Sequence, residues 1–148
     1  MKMNSVINFY QVTSATFEKS VCQLLEKCYQ TGKNTLVKVG DVDFQELINK
    51  TLWTFSQKSF IPHGSINDPL PNQQPILITD KENNINNADI LVCIGCEFDK
   101  IDQFSRIMII FYEHNNLQRE ICRNLYLKYK ALSYEIKYYK QLENGAWS

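Results

Sequence analysis

Two short apolar runs constrain this chain more than anything else in it. Residues 89–94 (DILVCI) and 106–112 (RIMIIFY) are almost continuously apolar, with no polar face left over. A strand that faces water on one side alternates; an unbroken run of this length is that of a strand covered on both faces, as in a parallel sheet sandwiched between helices. Shorter candidates accompany them at residues 5–11 (Val6, Ile7, Phe9, Tyr10), 34–40 (Leu36, Val37, Val39) and 76–79. Between the strands lie helical spacings. Phe17, Val21, Leu24, Leu25 and Cys28 follow Thr13 or Ser14 as opener and stop at Gly32; Phe44, Leu47, Ile48 and Leu52 follow Asp41, an N-cap type. Strands alternating with helices predict an α/β fold around a largely parallel sheet. At 148 residues the chain is most economically one domain, spanning 1–148. Residues 97–104 suggest a short helix or turn.

The stretch 115–140 (NNLQREICRNLYLKYKALSYEIKYYK) contains no Gly or Pro, and Asn115 with Gln118 can cap it, which predicts one long helix. On that helix Leu117, Ile121, Leu125, Leu132 and Ile136 share one flank, the flank expected to be buried. Arg119, Arg123, Tyr126, Lys130 and Lys137 form a stripe on the other side. The chain has 16 basic residues, only three of them arginines, and two of the three lie here. Arginine presents a planar fork that holds a carboxylate or phosphate by two bonds at once, so the stripe is a candidate anion grip with Tyr126 as an apolar wall. On spacing alone, the commoner reading of such a stripe is a solvated outer face.

Composition narrows the classes. Formal net charge is zero, so recognition of nucleic acid or membrane by overall charge is not expected, and any electrostatic contact must be local. No apolar stretch reaches membrane-spanning length and the N-terminus lacks a signal-peptide run. Five cysteines (22, 28, 93, 96, 122), an odd number, fit a reducing, cytoplasmic setting. The five glycines are too scattered for a dinucleotide fingerprint or a P-loop. Cys93 and Cys96 form a C-x-x-C at a strand end with no second pair and no histidine at zinc spacing, which favours buried thiols over a metal site. His63 reads as a turn residue. No catalytic constellation, metal site or cofactor site is expected.

Residues 52–63 (LWTFSQKSFIPH) bring three large aromatics into a stretch that leaves regular structure before four prolines. Exposed aromatics in such a loop serve as anchors of protein contacts; closing the core is an equal alternative.

These residues also carry a resemblance. T-G-K-x-x-L-V at residues 31–37, L-W-x-x-x-x-x-S-F-x-P-H at 52–63, A-D-I-L-V at 88–92, R-x-x-Y-x-x-Y at 123–129 and a Trp next to the C-terminal residue occur in the order and spacing of the chi subunit family of bacterial DNA polymerase III. The resemblance spans essentially the whole chain. It implies a Rossmann-like three-layer α/β domain with helices on both faces of a mostly parallel sheet. It further implies a non-catalytic, cytoplasmic adaptor of the clamp loader that meets nucleic acid only indirectly. One surface would take the psi subunit, through Trp53, Phe60 and Pro62, and in some bacteria a helicase-like protein competes there. The other would take the acidic, Asp-Phe-type C-terminal tail of single-stranded-DNA-binding protein, through Arg119, Arg123, Tyr126, Tyr112, Leu142 and Trp147. Where the family often has a basic residue after the matched Tyr126, this chain has Leu127, with Lys128 and Lys130 nearby.

Two other classes remain at this point. A small Rossmann-like enzyme would need a pocket of titratable groups at the carboxyl ends of the strands. A direct single-stranded-DNA binder would use the basic stripe and its tyrosines.

Overall fold

The apolar runs are strands, and all of them run the same way. In the computed structural model, which describes residues 5–54, 61–66 and 68–148, the strands are β1 (Val6–Val12), β2 (Thr35–Val39), β3 (Gly64–Ser65), β4 (Ile76–Thr79), β5 (Ile90–Ile94), β6 (Arg106–Tyr112) and β7 (Glu135–Lys140). They form one sheet in the order β3-β4-β2-β5-β6-β1-β7 with every pairing parallel. Parallel neighbours need crossover connections, and these supply the other two layers. Helices α1 (Phe17–Gln30) and α2 (Val42–Thr54) cover one face, on a core that includes Val21, Leu25, Ile48, Val37 and Ile110. Helix α3 (Asn116–Ala131) and the buried side chains of Phe98, Ile101 and Phe104 cover the other, over Phe9, Leu91 and Ile109. The architecture is therefore the Rossmann-like three-layer α/β fold. Each wholly buried Phe or Ile contributes about 1.5–3 kcal/mol from burial.

Local signals explain the helix ends. Asp41 Oδ1 accepts the backbone N–H groups of Asp43 (2.9 Å) and Phe44 (3.3 Å), capping α2. Gly32, at φ +78°, ends α1. Asn115 Oδ1 accepts from the Gln118 N–H at 3.0 Å and opens α3. At Gly95 (φ +61°) a side chain would be strained and would displace Gln118: a Cβ there would lie 2.6 Å from Cγ and Cδ of that residue. That same Gln118 accepts the Tyr112 N–H through Oε1 at 2.8 Å. Gly95 thus lets the end of β5 approach the first turn of α3 closely.

The expected single helix over 115–140 is two elements. Helix α3 stops at Ala131, and residues 135–140 form β7, hydrogen-bonded to β1. The stop is a Schellman turn built without glycine. Tyr134 N–H donates to Tyr129 O (3.1 Å), Ser133 N–H donates to Lys130 O (3.1 Å), and Ser133 takes the left-handed conformation at φ 65°. The rings of Tyr129 and Tyr134 meet edge to face at 5.5 Å across it. Beyond the turn, side chains alternate: Tyr138 sits opposite Phe9 and Tyr139 opposite Tyr10, a pattern that suits β-prone tyrosines. The expected buried flank changes with it. Leu117 (69% exposed) and Leu132 face solvent; Leu125 is buried as expected, Ile121 and Ile136 pack partly buried against the same core, and Cys122 and Tyr129 join it. Lys137 lies on β7, not on the α3 stripe.

Candidate functional site

A cleft of about 830 Å³ lies between helix α3 and the strands β1, β6 and β7. Gln11, Phe111 and Tyr138 rise from the strands; Arg119, Arg123, Tyr126 and Leu127 descend from the helix. The floor is aromatic. Phe9 meets Tyr126 edge-on at 5.5 Å and stacks with Tyr138 at 6.2 Å, and Tyr126 meets Tyr138 edge-on at 6.2 Å. A chain of hydrogen bonds holds one wall: the Tyr138 hydroxyl donates to Gln11 Oε1 (2.6 Å), and Gln11 Nε2 donates to Glu113 Oε1 (2.7 Å). Burial, then the neighbouring Cys122 and Glu113, pushes the Tyr138 hydroxyl above its ordinary pKa, so it stays a donor at neutral pH.

Above this floor stand the two arginines. Both are exposed, and among the described residues neither has a carboxylate within 4.0 Å. A guanidinium that is not held by an internal acid keeps its fork for an incoming anion. Lys130 adds a third cation, its ammonium 5.9 Å from the Tyr126 ring centre, whereas Lys128 lies over Tyr129. Of the two lysines near Leu127, Lys130 is therefore the one beside Tyr126. Leu127 itself is exposed and lines the cleft.

Of the six residues expected together, the structure joins Arg119, Arg123 and Tyr126. Tyr112 is on the other face of the sheet, its ring 5.6 Å from that of Phe17. Trp147 is on that face too, edge-on to Tyr10 at 5.2 Å. Leu142 is exposed in the C-terminal turn, where its N–H donates to Ala146 O. The sequence reading missed Tyr138, Gln11 and Phe111. The two-residue alternation of EIKYYK was the available signal for Tyr138.

The second expected surface lies at the end of α2, on the opposite face of the sheet from the cleft. Trp53 is 54% exposed there, with its ring 4.7 Å from that of His63. His63 is buried, its Nδ1 2.8 Å from Ile61 O and its Nε2 3.2 Å from Asn49 O. The Nε2 contact ties His63 to α2, which brings half-buried Pro62 to the end of the helix that carries Trp53. Phe60 lies outside the described residues.

The C-x-x-C is asymmetric. Cys93 is wholly buried under α3; Cys96 is only partly covered and has its Sγ 3.3 Å from Lys38 O. The hydrogen bond from Cys93, and after it the Lys38 ammonium, holds the Cys96 thiol below its ordinary pKa. Burial pushes Cys22 and Cys122 up to about 12 and Cys28 to about 11. Iodoacetamide at neutral pH is therefore expected to modify Cys96 first, read by peptide mass mapping. First modification at any other cysteine would contradict that ordering. Among the described residues no group of three or more His, Cys, Asp or Glu is placed to hold a metal ion, and no helix is long and apolar enough to cross a membrane.

Comparison with known proteins identifies the family. Residues 3–137 match the family described as DNA polymerase III chi subunit, HolC. The chain is 37% identical to a probable DNA polymerase III subunit chi of Rickettsia prowazekii, over 100% of this chain and 93% of that protein. It is 23% identical to the chi subunit of Pseudomonas aeruginosa (88% and 93% covered) and 19% identical to that of Escherichia coli (80% and 82% covered). The chain belongs to the DNA polymerase III chi subunit family.

Proposed function

We propose that this chain is a non-catalytic adaptor subunit of DNA polymerase III that works in the cytoplasm, at the replisome. The α3 cleft takes the acidic C-terminal tail of single-stranded-DNA-binding protein, and the Trp53–Pro62 patch takes the psi subunit or a helicase-like competitor. One observation carries the first half: two exposed arginines, without acid partners among the described residues, stand over an aromatic floor. A peptide end offers both complements, carboxylates for the forks and a terminal Phe for the rings. The two surfaces lie on opposite faces of the sheet, which suits simultaneous occupation. Nucleic acid is then approached through the tail of its binding protein. The test is calorimetry with an acidic tail peptide, with and without its terminal Phe. Binding that requires both the acids and the Phe is expected; equal binding of the truncated peptide would remove the aromatic floor from the mechanism.

The second half rests on Trp53, a large ring exposed at a helix end beside a fastened loop. Trp53→Ala is expected to lower co-purification of psi at least tenfold while tail-peptide affinity stays unchanged. Full recovery of psi with this variant would show that the anchor lies elsewhere.

A further inference from the structure

The third arginine, Arg106, stands apart from both surfaces, and its surroundings are those of a binding groove. Alternate residues of β1, β6 and β7 project onto the α1 face of the sheet. Two adjoining hollows, of about 220 and 390 Å³, remain, and Arg106 lines both. The smaller is walled by rings: Tyr10 and Tyr139 stack at 5.2 Å with an interplanar angle of 18°, and Trp147 stands edge-on to Tyr10. The larger is polar and cationic, with Lys33 and Lys137 beside Arg106, hydroxyls of Thr31 and Ser105, and a single carboxylate, Glu135. Among the described residues, Arg106, Lys33 and Lys137 have no carboxylate within 4.0 Å.

We infer that this groove is a weak site for single-stranded nucleic acid, with one base against the Tyr10–Tyr139–Trp147 rings and the neighbouring phosphates on Arg106, Lys33 and Lys137. A sheet face carrying aromatic rings next to cations suits a single strand, because every base has a stacking face and every linkage a phosphate. The α3 cleft, by contrast, relies on arginine forks. Here lysines outnumber arginine, and point charges serve the sequence-independent phosphates.

The experiment titrates a short oligothymidylate at low salt into the full chain carrying Trp53→Phe, so that Trp147 alone reports by fluorescence. Quenching is expected, with a log–log salt slope of about −2 for three neutralised phosphates. Adding Arg106→Gln and Lys33→Gln is expected to weaken binding at least tenfold and to flatten that slope, whereas adding Arg123→Ala leaves it in place. Matched thermal melts of the variants guard against misfolding. Three results would each overturn the inference: no quenching at low salt, loss of binding with Arg123→Ala but not with Arg106→Gln plus Lys33→Gln, or equally tight quenching by a poly-glutamate peptide of the same charge. The second would move the strand to the α3 cleft, and the third would make the groove a site for acidic peptide. Tail-peptide affinity is expected to be unchanged by the Arg106 and Lys33 substitutions, so the groove and the α3 cleft fail or stand separately.

Discussion

Arg123→Ala is expected to abolish detectable binding of the acidic tail peptide in calorimetry while leaving the melting temperature unchanged. Arg123 is exposed and has no internal acid partner among the described residues, so its removal leaves no buried charge uncompensated. In the free protein the guanidinium is solvated, and an exposed ion pair there would count for little. Once a peptide covers the cleft, the pair is shielded from water, and truncating one partner typically costs about 2–5 kcal/mol, or roughly 30-fold and upward in affinity. Arg119→Ala is the weaker companion, since Tyr126 lies three residues from Arg123 and one turn further from Arg119. Unchanged affinity of Arg123→Ala would remove the arginine grip from the mechanism.

The second large effect concerns the floor beneath that grip. Phe9 is completely buried in the middle of β1, and its ring touches both Tyr126 and Tyr138. Phe9→Ala would leave a cavity under the cleft, and large-to-small changes of this kind cost about 3–5 kcal/mol. Against a total stability of about 5–15 kcal/mol this is a large fraction. Urea denaturation is expected to show a free-energy loss of that size, read as a lowered midpoint with an unchanged slope. Phe9→Leu, which fills most of the space, should cost well under half as much. The two rings over Phe9 would lose their support, so tail binding should weaken in Phe9→Ala even where the protein remains folded. A stability loss below about 1 kcal/mol would mean that the rings repack and that Phe9 does not set the floor.

Much of the fold was legible because burial on both faces leaves a plain mark. The runs at 90–94 and 107–112 carry no charged residue, and the turn and cap chemistry of Asp41, Gly32 and Asn115 marks helix ends in the residues themselves. What was not legible was a helix end without its usual glycine. Ser133 adopts a conformation that serine seldom takes, held by the Tyr129–Tyr134 contact and two backbone bonds, none of which a spacing argument can see. Reading across that turn hid β7, and with β7 the Tyr138 wall of the cleft. Tyr112 and Phe111 show a second limit. They are consecutive in β6, so they point to opposite faces, and only Phe111 reaches the cleft. Arg119, Arg123 and Tyr126 were legible because they fall within the part of the stretch that is helical.

The most direct measurement is amide chemical-shift mapping of the isotope-labelled full chain during titration with the acidic tail peptide. Perturbations are expected to concentrate on residues 116–127 of α3 and on Gln11, Phe111 and Tyr138, with the patch around Trp53 silent. Perturbations centred on Trp53 and His63, or on Tyr139 and Trp147 across the sheet, with the α3 cleft unmoved, would contradict the tail-binding role assigned to the two arginines.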